Sequence, residues 1–471
     1  MDDYKITCGL EVHVELKTNT KMFSSSKNYY GSSSNTNINL VDFGYPGTLP
    51  RVNTYGIDLG IRAAHILNCT INKEMYFDRK NYFYPDLPKG YQITQSRTPI
   101  GVNGYVEIDV NGTKKKIGIH DIHLEEDTCK VIHTENSSLL DFNRAGVPLL
   151  EIVSEPDMNS SEEAVLYLEK LRELLLYGDV SDVKIEEGSM RCDVNVSVSK
   201  TDELGTRAEL KNLSSLNSVS MAINAEAKRQ VELLESGGVQ KEETRRYDEK
   251  ENKTILMRVK ETGNDYRYFP EPDIPRIVLT DEHIDNVIKS IPESADNRRK
   301  TYIEAGISEI NAEKIIASRS ISDYLLKAPK NMDLVIASNL LLGDISGYLN
   351  EKHLSLEELN LDINRLNDLV ERLHNKSISS KIGKEILEDV LTTKDSLDSI
   401  IEKHGGSSIT DSSELERIVK KVLEENEQSV KDYKAGHDRA IKYLMGQVMK
   451  ETSGKANPVG VMEILEKSLK D

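Results

Sequence analysis

The sequence predicts an α+β protein, with a strand-rich N-terminal region followed by an all-helical middle block and a small helical tail. Three observations carry this. Short runs alternate apolar and polar residues through roughly the first 290 positions. From about residue 281 the pattern turns helical, with charged faces and few aromatics, and Gly405-Gly406-Ser407-Ser408 interrupts that helical part. The boundaries that follow are 1–290, 291–402 and 403–471, consistent with roughly three domains in 471 residues.

The first strand is Gly9-Leu10-Glu11-Val12-His13-Val14-Glu15-Leu16, whose alternation puts apolar residues on one sheet face and Glu11, His13 and Glu15 on the other. Tyr105 through Val110 alternates likewise and runs into Asn111-Gly112, a hairpin signal. A helix over 161–177 follows from Val165, Leu168, Leu171 and Leu175 on one face, with Gly178 as its stop. Arg191 through Val198 alternates again, and a second helix over 215–235 ends at Gly237-Gly238. Tyr266 through Pro275 carries three prolines in six residues and reads as an extended strap. In the tail a helix is expected over 436–450.

Composition narrows the function classes. Lys+Arg number 61 and Asp+Glu 79, a formal net charge of −18, which disfavours indiscriminate nucleic-acid binding but leaves room for a local basic patch. Cys8, Cys69, Cys129 and Cys192 form no CxxC pair, so they read as free thiols in a reducing cytoplasm. The start Met1-Asp2-Asp3-Tyr4-Lys5 carries charge where a signal peptide would need an apolar core, and no uncharged apolar run reaches about 18 residues, so neither secretion nor membrane spanning is expected.

Two constellations bear chemistry. His123-Leu124-Glu125-Glu126-Asp127 packs an imidazole against three carboxylates, Glu151 interrupts the apolar run Pro148–Val153, and Asp193 alternates with Arg191 and Asn195. If these strands and the first are neighbours, the crowded carboxylates call for a cation, and oxygen-rich ligation suits Mg²⁺ or Mn²⁺. Otherwise they are a solvated sheet face. The second constellation, Phe77 through Gln92, interleaves Arg79, Lys80 and Lys89 with Tyr82, Phe83, Tyr84 and Tyr91. It reads either as a phosphate and base cradle or as a Tyr-rich packing loop. Walker, Rossmann and kinase signatures are absent, as is a G-x-S-x-G elbow beside His120, His123 and His133.

The first strand, Tyr45 through Pro50, Phe77 through Pro85, His123 through Asp127, Asn143 through Asp157 and Glu187 through Asp193 together resemble the B subunits of tRNA-dependent glutamyl/aspartyl amidotransferases. The strap, Asn426 through Tyr433 and Gly446 through Lys450 extend the resemblance to essentially the whole chain. It implies a catalytic cradle built on antiparallel sheet, a helical domain and a tail that engages tRNA. It implies a carbon–nitrogen ligase with glutamine as amido donor. ATP and Mg²⁺ (or Mn²⁺) would serve to phosphorylate the side-chain carboxylate of Glu-tRNA(Gln) or Asp-tRNA(Asn). Ammonia would come from an amidase-type A subunit, with a small C subunit completing the complex.

By motif, the resemblance places metal ligands at Glu11, His13, Glu125, Glu126, Glu151 and Asp193, and a catalytic set at Glu11, His13, Glu125 and Lys80. Nucleotide contacts fall on Arg79, Lys80 and Tyr82. The loop Phe23-Ser24-Ser25-Ser26 through Thr36 lacks the four cysteines of many relatives, so no structural zinc is expected. Thr128-Cys129-Lys130 and Asp121 also depart from the usual pattern. Residues 434–455 hold Lys434, Arg439, Lys442, Lys450 and Lys455 against Asp438 and Glu451. That basic balance, with the resemblance, makes Lys434, Arg439, Lys442 and Lys455 the tRNA contacts of the tail. The rival readings are a non-catalytic tRNA-binding scaffold of the same complex and a metal-dependent phosphotransferase acting on a small carboxylate. Charge retained in the apolar run around Glu151 favours catalysis.

Overall fold

The computed structural model describes residues 3–185, 187–259, 266–404, 412–434, 439–452, 456 and 458–470. The chain divides into two compact units, 1–295 and 296–471. The first is built on a nine-stranded sheet among the described residues. Its strand order is Lys253–Val259, Glu243–Asp248, Ala208–Lys211, Met190–Ser199, Lys5–Glu15, Pro148–Ser154, Thr113–Glu126, Gly101–Val110 and Thr70–Ile71. Every pairing is antiparallel except that of Ala208–Lys211 with Glu243–Asp248.

One face of this sheet is apolar. Leu10, Val12, Val14, Ile122, Leu124, Leu150, Ile152, Val194 and Val196 are all buried there. The helices Thr54–Ile66, Ser161–Tyr177 and Leu216–Glu235 supply buried apolar residues to the same core. Each begins at a side-chain cap that satisfies orphan backbone N–H groups: Asn53 Oδ1 accepts from Tyr55 and Gly56, Ser160 from Glu163, and Ser215 from Ser218. The expected Asn111-Gly112 hairpin is present, both residues having positive φ (52° and 83°) as a two-residue turn requires. The helix stop at Gly178 is also present, but the left-handed residue is Asp179 (φ 56°), one position later.

A smaller sheet, Phe269–Pro270, Asp78–Asn81 and Tyr91–Thr94, carries Lys80 and includes the strap. The serine-rich loop is organised by a carboxylate hub. Asp42 accepts from Ser24 Oγ (2.6 Å) and Ser26 Oγ (2.5 Å) and pairs with the fully buried Lys21 ammonium (3.4 Å).

All four cysteines are free. Burial pushes the thiols of Cys8, Cys69 and Cys192 up to about 12 and that of Cys129 to about 11. At pH 8 each is then thiolate in less than about one molecule in 10³. Iodoacetamide is therefore expected to label the native protein slowly and all four positions rapidly in denaturant. Fast labelling of any one in the native state, read by mass spectrometry, would contradict this environment.

The second unit is helical. The helix Leu334–Leu340 continues through a π-helical turn, Leu341–Ile345, into Ser346–Lys352, and is followed by Ile363–His374, Ser380–Thr392 and Leu397–Lys403. The last helices, Ser412–Glu425, Glu427–Lys434, Arg439–Glu451 and Pro458–Lys470, contribute an apolar set of their own, including Leu415, Val419, Leu444, Val448, Val461 and Leu465. The helix expected over 436–450 is described from Arg439, and residues 436–438 lie outside the described residues. No described helix is long and apolar enough to cross a membrane.

Candidate functional site

The chemistry lies on the polar face of the large sheet, opposite the three helices. Register places it there. His13 pairs with Glu151, which pairs in turn with His123, and Glu11 pairs with Asp193. Directly opposed residues of antiparallel strands project to the same side. His13, Glu151 and His123 therefore form a row across three strands, with Glu125 two residues beyond His123.

His13, Glu125 and Glu151 each offer a ligand atom, and these three atoms lie within 4.8 Å of one another. His13 Nε2 stands 3.4 Å from Glu151 Oε2 and 3.7 Å from Glu125 Oε1. His123 Nε2 meets the same Glu151 oxygen at 3.1 Å, and its Nδ1 is held by Asp121 at 2.8 Å. Burial alone would lower both imidazoles, but the carboxylates outweigh it. His13 is raised to about 9, chiefly by Glu151, and His123 to about 10 by Glu151 and Asp121. Burial opposes ionisation of Glu151, yet the two imidazoles hold it well below the usual carboxylate range. Glu125 is raised, first by burial and then by Glu151. A carboxyl pushed upward by burial and by a neighbouring carboxylate is what an added cation relieves. One nitrogen and two carboxylate donors fit a hard divalent ion. The residues present therefore fit Mg²⁺ or Mn²⁺.

The other expected residues take different places. Glu11 lies in the next row, accepting from Asn195 Nδ2 at 3.0 Å, and burial and Glu151 raise its carboxyl. Asp193 is paired with Lys211, which also reaches Glu209 at 2.8 Å. Glu126 is taken by Lys89 and by the Ile93 N–H (3.0 Å). Neither Asp193 nor Glu126 joins the group of three. Lys80 faces the site. Burial would lower its ammonium, but Glu125, then the phenols of Tyr268 and Tyr266 and the carboxylate of Glu151, raise it, and it lies 4.9 Å from the Tyr266 ring. Tyr82 packs edge-on against Tyr266 at 6.0 Å. Arg79 is clasped in a bidentate pair by Glu271 (2.6 and 2.9 Å) and stacks 4.1 Å over Tyr91. Adjacent strand residues point to opposite sides, so Arg79 and Lys80 serve different neighbours. In the tail Lys434, Arg439 and Lys442 are exposed, and Lys455 lies outside the described residues.

His123, Asp121 and Arg191 complete the face and were not among the expected ligands. Their alternation is visible in the sequence, but their partners depend on register.

A family profile described as the GatB/GatE catalytic domain matches residues 6–285, and one described as the GatB domain matches 323–469. The first defines a catalytic class, and it covers the unit that carries the site. Among curated proteins the chain is 49% identical over 468 residues to the B subunit of the aspartyl/glutamyl-tRNA(Asn/Gln) amidotransferase of Geobacillus thermodenitrificans, covering 98% of each. It is 48% identical to that of Oceanobacillus iheyensis over 99% of each chain, and 47% identical to that of Ligilactobacillus salivarius over the full length of both. The chain belongs to the family of aspartyl/glutamyl-tRNA amidotransferase B subunits. It is thus one component of a multi-subunit, carbon–nitrogen-bond-forming enzyme.

Proposed function

We propose that this chain phosphorylates the side-chain carboxylate of Glu-tRNA(Gln), Asp-tRNA(Asn) or both, with ATP. Ammonia from an amidase-type A subunit then displaces the phosphate, and a small C subunit completes the complex. The observation that carries this reading is the convergence of His13, Glu125 and Glu151 on one sheet face with Lys80 beside them. A bound divalent cation, held by those three residues, would neutralise charge on the phosphate oxygens. Lys80 supplies a fixed positive charge toward the same oxygens, which is most of what phosphoryl transfer asks of a protein. Glu151 holds His13 and His123 in place, and the Tyr266 ring lies 4.9 Å from the Lys80 ammonium with Tyr82 and Tyr268 packed edge-on against it. Residues 1–290 are in this reading the catalytic domain, 291–402 a helical domain and 403–471 a tRNA-binding tail.

The chemistry is tested by oxygen transfer. A carboxylate oxygen attacks the γ-phosphorus, ADP leaves, and the phosphate later departs with that oxygen as the amide forms. With ¹⁸O in the substrate side-chain carboxylate, the assembled complex is expected to release phosphate carrying one ¹⁸O. Unlabelled phosphate accompanying amide formation would exclude the mechanism. The purified single chain is expected to make no amide from glutamine.

The tail reading rests on the exposed Lys434, Arg439 and Lys442. Deleting residues 403–471 is expected to raise the KM for misacylated tRNA and to flatten its dependence on salt concentration, because fewer phosphate contacts release fewer counterions. An unchanged KM would assign tRNA binding elsewhere.

A further inference from the structure

Arg191 lies directly opposite His13 in the antiparallel pairing of Met190–Ser199 with Lys5–Glu15. Its side chain therefore leaves the sheet on the same face as His13, Glu151 and His123. One strand spacing, about 4.8 Å, separates its backbone from that of His13, less than the length of an arginine side chain. Among the described residues the guanidinium makes a single ion pair, Nη2 to Asp127 Oδ2 at 2.6 Å. The two partners are unequally buried. Asp127 is 6% exposed and Arg191 37%, so the pair anchors a charge at the open surface of the site and does not seal it.

The groups facing this guanidinium are few. Asp127 also receives the Thr128 N–H at 2.8 Å and stands 3.4 Å from Arg144 Nε, so one carboxylate faces two guanidiniums. Arg144 is committed to the carbonyl oxygens of Thr128 (3.0 Å) and Cys129 (3.1 Å). Glu15 and Glu125 are the remaining carboxylates within electrostatic reach of Arg191. Most of the Arg191 fork is thus uncommitted. Lys80 belongs to the smaller sheet, whose strand Tyr91–Thr94 packs against Thr113–Glu126, on the far side of Lys5–Glu15 and Pro148–Ser154 from the strand that carries Arg191.

We propose that Arg191 contacts the transferred phosphoryl group, its free N–H donors pairing with non-bridging oxygens across the site from Lys80. This rests on the phosphoryl-transfer reading above. A planar guanidinium pairs two oxygens at once, and charge on all three equatorial oxygens must be met from more than one side as the phosphoryl group moves. The same fork would suit a substrate carboxylate. The phosphoryl group is favoured because it carries the larger charge and meets Lys80 and Arg191 together.

The test is equilibrium binding of Mg·ATP and Mg·ADP to the assembled complex carrying Arg191→Gln or Arg191→Lys. Arg191→Gln is expected to weaken ATP about tenfold and ADP less than twofold, since ADP lacks the γ-phosphoryl group. Arg191→Lys, which keeps charge and loses the fork, is expected to fall between, and remains informative if the glutamine variant does not fold. A role confined to the Asp127 pair would lower the melting temperature and leave the ATP-to-ADP ratio unchanged. Equal loss for both nucleotides, no loss for either, or a rise confined to the KM for misacylated tRNA would each overturn the proposal. A wild-type complex that binds no ATP would overturn both this proposal and the reading beneath it.

Discussion

Replacing Glu151 by glutamine is expected to lower ATP-dependent carboxylate phosphorylation on the order of 10³-fold or more, with the fold retained. One Glu151 oxygen is shared by His13 (3.4 Å) and His123 (3.1 Å), and it is the middle member of the row His13, Glu151, His123. Glutamine preserves shape and one acceptor but removes the charge that holds both imidazoles and one of the three side chains proposed to hold the cation. The metal-free protein gives a second readout. His13 and His123 have folded-state values raised to about 9 and about 10 from an ordinary 6.5. Their contribution to stability is therefore fully present below about 6.5 and lost as pH rises through 9 to 10. Melting curves of the wild-type chain in EDTA should fall over that interval, and Glu151→Gln should lack most of the fall. A variant that phosphorylates at wild-type rate would misplace the site.

The sequence makes the pieces of this site legible but not their adjacency. Alternation alone identifies the strands around His13 and Asp193, apolar spacing and the Gly178 stop identify the helix Ser161–Tyr177, and Gly237-Gly238 marks the end of Leu216–Glu235. Nothing local says that Pro148–Ser154 inserts between Lys5–Glu15 and Thr113–Glu126, and only that insertion sets Glu151 between two imidazoles. The partner of Asp193 comes from Ala208–Lys211, a strand of four residues, too short to show a period. Glu126 follows Glu125 at the strand end, where alternation stops because the chain turns and Asp127 N–H bonds the Val147 carbonyl (2.9 Å). Arg79 and Lys80 read as one basic pair because four polar residues, Asp78 to Asn81, show no apolar alternation. As a strand they send the two side chains to opposite sides.

Glu226→Ala is expected to destabilise the first unit by about 3 kcal/mol without altering the chemistry, because it strips four hydrogen bonds and leaves Arg229 and Arg245 to share Glu243. Glu226 lies wholly buried on the helix Leu216–Glu235, which packs against the apolar face of the sheet. Its Oε1 accepts from Arg229 Nη2 (2.6 Å) and Gln230 Nε2 (2.8 Å), and its Oε2 from Arg229 Nε (3.0 Å) and Thr254 Oγ1 (2.6 Å). Arg245 Nε adds a contact at 3.4 Å. One carboxylate thus ties the helix to Glu243–Asp248 and to the edge strand Lys253–Val259. Alanine removes every acceptor at once and leaves Arg245, only 10% exposed, with Glu243 as its remaining carboxylate. At about 2–4 °C per kcal/mol for a unit of this size, the melting temperature should drop by roughly 10 °C. Glutamine keeps one acceptor oxygen and loses the charge, so Glu226→Gln should fall between alanine and wild type. The network lies behind the apolar face and the ligands before the polar one, so phosphorylation rate at low temperature should stay within about twofold of wild type, as for sites that share no partners. A melting temperature unchanged in Glu226→Ala would mean that water reaches this network in solution, and the carboxylate would then contribute no more than a surface ion pair.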